Sequence, residues 1–268
     1  MSPAARAVVI GTPLRVPVSG INIDSNSSDP TRWRSIAARA VYFGHQSVGD
    51  DIADGIDRLN AEFSLGLRLV ETRAPAAVAH PAFVHFHAGG NQDPASKNAA
   101  MLRILRARPR ADRAIVLLKY CYVDIARDTD VAAVFDAYRA TVRAIRSRYP
   151  DVTIVHTTVP VTTVESAFKA EVKRLIGRRS VRQDAVARHR YNELVRAEFA
   201  EREPLFDIAR IEATRVDGSR VQFAWKAGQI DSLAPEYTRD GGHLNARGQA
   251  LVAKELLSVL ARVAETDR

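Results

Sequence analysis

Residues 113–122 read RAIVLLKYCY and residues 152–161 read VTIVHTTVPV. Both are short continuous apolar runs, and a strand that is apolar on both faces belongs in a sheet covered on both sides, which is the setting of a parallel sheet. The helix Val131–Arg148 separates them. Working outward, residues 40–44 (AVYFG) form a further strand, followed by a helix over Val48–Phe63 with Ile52, Ile56 and Leu59 at helical spacing. Residues 67–71 and 83–87 read as extended, Pro94–Ala107 and residues 181–201 as helical, residues 205–208 as a last core strand and residues 246–264 as the closing helix. Residues 214–229, with a Gly-containing turn and Trp225, read as a hairpin excursion. Apolar strands alternating with amphipathic helices predict an α/β fold: a three-layer α/β/α sandwich around a flavodoxin-like parallel five-stranded sheet.

A chain of 268 residues is of a size for one large domain. Residues 1–35, with the polar cluster IDSNSSDPTRW and no sustained periodicity, read as an irregular lead-in to a domain over residues 36–268. No run approaches the roughly 18 apolar residues of a membrane span. The apolar stretch near the start is short and broken by Pro and Arg, unlike a signal peptide, so a cytoplasmic location is expected. A single cysteine, Cys121, excludes an intramolecular disulfide framework. The formal charge of +8 suits an acidic partner, yet only 6 of the 39 basic residues are Lys. An Arg-heavy, Ala-rich and Val-rich chain reflects base composition more readily than ligand choice, so no nucleic-acid partner is expected.

Ligands of open α/β sheets collect beyond the carboxyl ends of the strands, and three stretches there stand out. In GHQSVG (44–49), Ser47 follows the first core strand and opens a helix, where backbone N–H groups and the helix dipole favour developing negative charge. The same Ser47-x-x-Asp50 spacing fits a capping box, which needs no chemistry. In DGGHLN (240–245), Asp240 and His243 on a Gly-containing loop can place a carboxylate on one imidazole nitrogen while the other faces outward, as a general base requires. AGGN (88–91) offers backbone amides and the Asn91 side chain to an oxyanion, or is simply a turn.

The joint order of these stretches, a serine after the first strand, a Gly-Asn turn and D-x-x-H-L-N-x-x-G before the last helix, resembles the SGNH (GDSL-like) hydrolase superfamily over residues 40–265. The resemblance implies a serine esterase with Ser47 as nucleophile and Asp240 and His243 completing a triad. It also implies an oxyanion hole from Ser47, Gly90 and Asn91, no metal or organic cofactor, and a small-molecule or glycan O-acyl ester as substrate, acetylated carbohydrate first. The chain departs from the family pattern in two places. His45-Gln46 replaces Gly-Asp before the serine, and Lys-Tyr-Cys-Tyr-Val-Asp (119–124) lacks the expected third-block Asn. His45, Gln46, Lys119, Tyr122 and Trp225 are candidates to line the pocket. His85 and His87 share a strand face as a metal pair would, but with no third ligand assigned they read as structural. The competing functions are an O-acyltransferase with the same triad, and an inactive module that binds an acidic glycan or nucleic acid through the Arg-rich helix around residues 178–196.

Overall fold

The computed structural model describes residues 29–73, 78–79, 81–108, 113–165, 181–226 and 228–266. Six strands form one parallel sheet: β1 (Ala40–His45), β2 (Leu69–Glu71), β3 (Ala82–His87), β4 (Ala114–Leu118), β5 (Val152–Thr157) and β6 (Leu205–Phe206), in the order β2-β3-β1-β4-β5-β6. The expected five-stranded sheet is therefore corrected to six. The sixth member is β2, a three-residue edge strand within the extended 67–71 segment, paired to β3 from Leu69↔Phe83 to Glu71↔His85. Without it the order is that of a flavodoxin-like sheet.

Side chains alternate across the sheet, as a strand period of two requires. Val41, Phe43, Phe83, Ile115, Leu117 and Val155 enter one core. Ala40, Tyr42, Val84, Val116, Leu118 and Ile154 enter the other. The first core is covered by α2 (Val48–Phe63) and by the long closing helix, which is α7 (Ala246–Thr266) once α1 (Pro30–Trp33), α3 (Pro94–Ala107), α4 (Val131–Arg148), α5 (Val181–Phe199) and α6 (Ile208–Ala213) are counted. Helices α3, α4 and α5 cover the second core. The three layers expected from the sequence are present, with helices on both faces of the sheet.

Several boundaries differ from expectation for local reasons. The end of the lead-in is helical: α1 runs into a 3₁₀ turn over Arg34–Ala38. It is fastened to α7 by the buried Trp33, whose Nε1 donates to Ser258 Oγ at 3.3 Å, and by Arg39 donating to the Ala264 carbonyl at 2.7 Å. The last core strand stops at Phe206 because Asp207 caps α6, accepting the Arg210 N–H at 3.2 Å. Strand β4 stops at Leu118, and residues 119–122 carry the chain across the carboxyl end of the sheet. The expected hairpin is present as β7 (Gln222–Trp225) and β8 (Gly228–Asp231), antiparallel and outside the main sheet.

Candidate active site

Two residues after β1 the chain turns sharply into α2. Ser47 sits at that turn with φ 55° and ψ −109°, a backbone region that costs an L-residue of order 1–3 kcal/mol and persists only where the surroundings impose it. Its side chain makes no capping hydrogen bond. The Ser47 hydroxyl instead donates to His243 Nε2 at 2.7 Å. Asp50, the other half of the apparent capping box, faces His87 Nε2 at 2.8 Å. The capping role allowed by the sequence is therefore not the one Ser47 plays.

On the other side of the imidazole, His243 Nδ1 meets Asp240 Oδ2 at 2.7 Å. The second oxygen, Asp240 Oδ1, accepts the backbone N–H groups of Gly242 (2.9 Å) and His243 (2.8 Å). These bonds, the His243 backbone N–H foremost, hold the Asp240 carboxyl well below the usual carboxylate range. An ionised Asp240 fixes the Nδ1–H tautomer of His243 and leaves Nε2 as the acceptor for Ser47. The tight loop needs Gly241 at φ 90°, where a Cβ would lie 2.5 Å from Thr163 Oγ1.

The loop is tied to the helix that Ser47 opens by a residue the sequence reading missed. Asp51, buried in the first turn of α2, accepts from the Leu244 backbone N–H (3.0 Å), Gln249 Nε2 (2.8 Å) and Arg239 Nη2 (3.0 Å). One carboxylate thus sets the distance between the segment that carries Ser47 and the segment that carries His243. Its partners lie 188 to 198 residues away, and no local motif signals such a contact.

Tyr122 is the pocket candidate that reaches the centre. Its hydroxyl lies beside the Ser47 side chain, and its ring stands edge-on to His243 with centroids 6.0 Å apart. Burial, then the nearby Asp240, raises the phenol's pKa, so Tyr122 keeps its proton. Arg188 of α5 holds the Tyr122 carbonyl through Nη1 at 3.1 Å and Thr162 Oγ1 through Nη2 at 2.9 Å.

The remaining candidates are placed differently from expectation. The Gly90 N–H is engaged by Ser96 Oγ at 2.9 Å, which removes it as a ready oxyanion donor. The side-chain oxygen of the exposed Asn91 accepts from Lys97 Nζ at 3.4 Å, and the buried Lys97 pairs with the buried Asp124 at 3.1 Å. Asp124 also accepts the Gln92 and Cys121 N–H groups, so it joins the 88–92 turn to the end of β4. Gln46 links the same turn from the other side, Nε2 donating to the Gly89 carbonyl at 2.7 Å. Lys119 and His45 are fully buried and line no open pocket. Lys119 Nζ lies 3.5 Å from both the Tyr120 carbonyl and Cys121 Sγ, while His45 packs against His85 and His87. Burial, followed by Lys119, pushes the pKa of His45 well below the usual histidine value. Trp225 ends β7 in the separate hairpin. Along α5, Arg188 and Arg196 turn inward or onto Asp207, Arg182 stacks over Phe223, and residues 178–180 lie outside the described residues. These three arginines are thus engaged with the rest of the chain.

No family model matches the sequence, and no curated protein matches it. Among solved structures, the chain is similar to a protein from Streptococcus pneumonia assigned as a platelet activating factor, with TM-score 0.47, 16% identity, and coverage of 86% of this chain and 90% of that one. It is also similar to a protein from Desulfitobacterium hafniense assigned to the G-D-S-L lipolytic family (TM-score 0.43, 10% identity, 83% and 99% coverage). A third is the periplasmic domain of a lipopolysaccharide acetyltransferase from Salmonella ser. Paratyphi A (TM-score 0.41, 11% identity, 87% and 95% coverage). At TM-scores of 0.41–0.47 these likenesses assign no activity to this chain.

Proposed function

We propose that this protein cleaves an O-acyl ester through a covalent acyl-enzyme on Ser47, with acetylated carbohydrates the first substrate class to test. The observation that carries the reading is the unbroken chain Ser47 Oγ, His243 Nε2, His243 Nδ1, Asp240 Oδ2, with both hydrogen bonds at 2.7 Å. His243 Nε2 takes the hydroxyl proton as Ser47 Oγ bonds to the acyl carbonyl carbon, and Asp240 stabilises the imidazolium that forms. The tetrahedral intermediate expels the alcohol, which leaves with the proton from His243. Water then attacks the acyl-serine by the same steps in reverse and restores the enzyme.

The developing oxyanion needs donors close to Ser47. The Ser47 backbone N–H donates to no group among the described residues and lies at the start of α2, where the helix dipole favours negative charge. The protonated Tyr122 hydroxyl, already beside Ser47, supplies a side-chain donor from the 119–124 stretch in which the sequence lacks Asn. The test is cleavage of short-chain aryl and acetylated-sugar esters. Ser47→Ala and His243→Ala are each expected to lower the rate by roughly 10⁴-fold or more while remaining folded. Turnover by the wild-type chain that survives both substitutions would overturn the proposal.

A further inference from the structure

Beside the Ser47 turn lies a second polar cluster that ester cleavage does not use. His45 at the end of β1, His87 at the end of β3 and Asp50 in the first turn of α2 bring one ligand atom each within 4.8 Å of one another. Asp50 Oδ1 is 2.8 Å from His87 Nε2 and 3.7 Å from His45 Nδ1. His45 is wholly buried, and among the described residues its Nδ1 has no hydrogen-bond partner. A buried ring nitrogen without a partner is costly unless something else occupies its lone pair.

The other ring nitrogen shows which tautomer the site favours. His45 Nε2 lies 3.2 Å from His85 Nδ1. With the proton on His45 Nε2 and donated to His85, the lone pair of His45 Nδ1 points toward Asp50. That is the pattern of a metal-binding histidine, whose remaining N–H is held by a neighbour that fixes the ring. Glycine at position 49 lets the start of α2 pack directly on the His45 ring, since a Cβ there would lie 2.2 Å from His45 Cβ and 2.5 Å from His45 Nδ1. His87 and Asp50 are half exposed, which opens the cluster to solvent on one side and lets their side chains adjust.

We infer that His45, His87 and Asp50 form a binding site for one divalent transition-metal ion of the zinc class, with His85 orienting His45 and solvent completing the coordination. Two imidazoles and a carboxylate suit zinc. Its bonds of about 2.0–2.1 Å to nitrogen place tetrahedral ligands about 3.3 Å apart, between the two separations to Asp50 given above. The first residue of the set precedes Ser47 by two positions and Asp50 follows it by three. A bound ion would therefore brace the strained turn that carries Ser47 without touching Ser47 itself. His85 and His87, paired by their strand spacing, take different parts: His87 binds the ion and His85 supports His45.

The site is tested by titrating the untagged, chelator-treated full chain with Zn²⁺ by calorimetry, alongside Ser47→Ala, His87→Gln, Asp50→Asn and His85→Gln. Wild type and Ser47→Ala are expected to bind one equivalent with equal affinity, so the result is independent of the proposed esterase activity. His87→Gln and Asp50→Asn are expected to weaken binding at least about 10-fold, and His85→Gln about 10-fold. Replacing Zn²⁺ with Co²⁺ should give visible ligand-field absorption in the wild type that His87→Gln removes. Circular dichroism checks that each variant is folded. Absence of binding in the wild type, or binding that His87→Gln and Asp50→Asn leave unchanged, would overturn the inference.

Discussion

At the scale of single residues, Ser47, Asp240 and His243 were legible because each side of the pairing leaves a local mark. One is a serine between an apolar strand and a helix; the other is an Asp and a His three apart on a glycine loop. Tyr122 was legible only as a residue at a strand end, since nothing in Lys-Tyr-Cys-Tyr tells which tyrosine turns toward Ser47. The structure separates them: Tyr120 is buried and bonds Asn98 at 2.7 Å, whereas Tyr122 meets Ser47. Gly90 and Asn91 offer oxyanion donors in the sequence, but Ser96 Oγ takes the Gly90 N–H and Lys97 Nζ holds the Asn91 side-chain oxygen, contacts with the following helix that no local pattern signals. If Tyr122 replaces the missing Asn as oxyanion donor, Tyr122→Phe lowers kcat by roughly 10²-fold or more and leaves KM nearly unchanged, because the interaction strengthens only as charge develops. Steady-state kinetics on an aryl ester measures this. An unaltered kcat would assign the hydroxyl a packing role.

At the scale of elements, all six strands and the helices between them were legible as apolar or extended runs and helical periods, while the ends of the short edge strands were not. β2 and β6 keep only three and two residues of the 67–71 and 205–208 segments, because pairing to β3 and β5 sets where each strand begins and ends. The link between α2 and the 239–244 loop was likewise hidden, because Asp51 looks like one more acidic residue in a first helical turn. Asp51→Asn would place an amide donor among the donors of Leu244, Gln249 and Arg239. Leaving one of these groups unsatisfied costs about 1–3 kcal/mol. The expected outcome is a loss of stability on that scale in chemical denaturation, together with a lower kcat per folded molecule because His243 is no longer held over Ser47. Lost stability with normal kcat per folded molecule would confine Asp51 to a structural role.

At the scale of the whole molecule, one buried carboxyl makes stability depend on pH. Glu212 on α6 is wholly buried and accepts the Val161 N–H at 2.7 Å. Burial raises its pKa from 4.5 to about 8, opposed by that hydrogen bond and by the charges of Lys119 and Arg188, with Asp51 acting in the same direction as burial. Between these two values the folded chain holds a proton that the unfolded chain has released. The stabilisation from protonated Glu212 is thus fully present below about pH 4.5 and lost as pH rises toward 8. Glu212→Gln should remove this contribution. Denaturation of both chains across pH 5–8 should show the wild type losing stability relative to the variant at up to about 1.4 kcal/mol per pH unit. Parallel curves would contradict it.

The central claim, that the fold assembles Ser47, His243 and Asp240 into a nucleophilic centre, is tested most directly by labelling the chain with a fluorophosphonate and mapping the adduct by mass spectrometry. The reagent needs an activated serine and no knowledge of the natural ester. The account predicts one adduct per chain, located on Ser47, lost in Ser47→Ala and slowed by several orders of magnitude in His243→Ala. A wild-type chain that stays unlabelled, or carries its adduct on another residue, would contradict it.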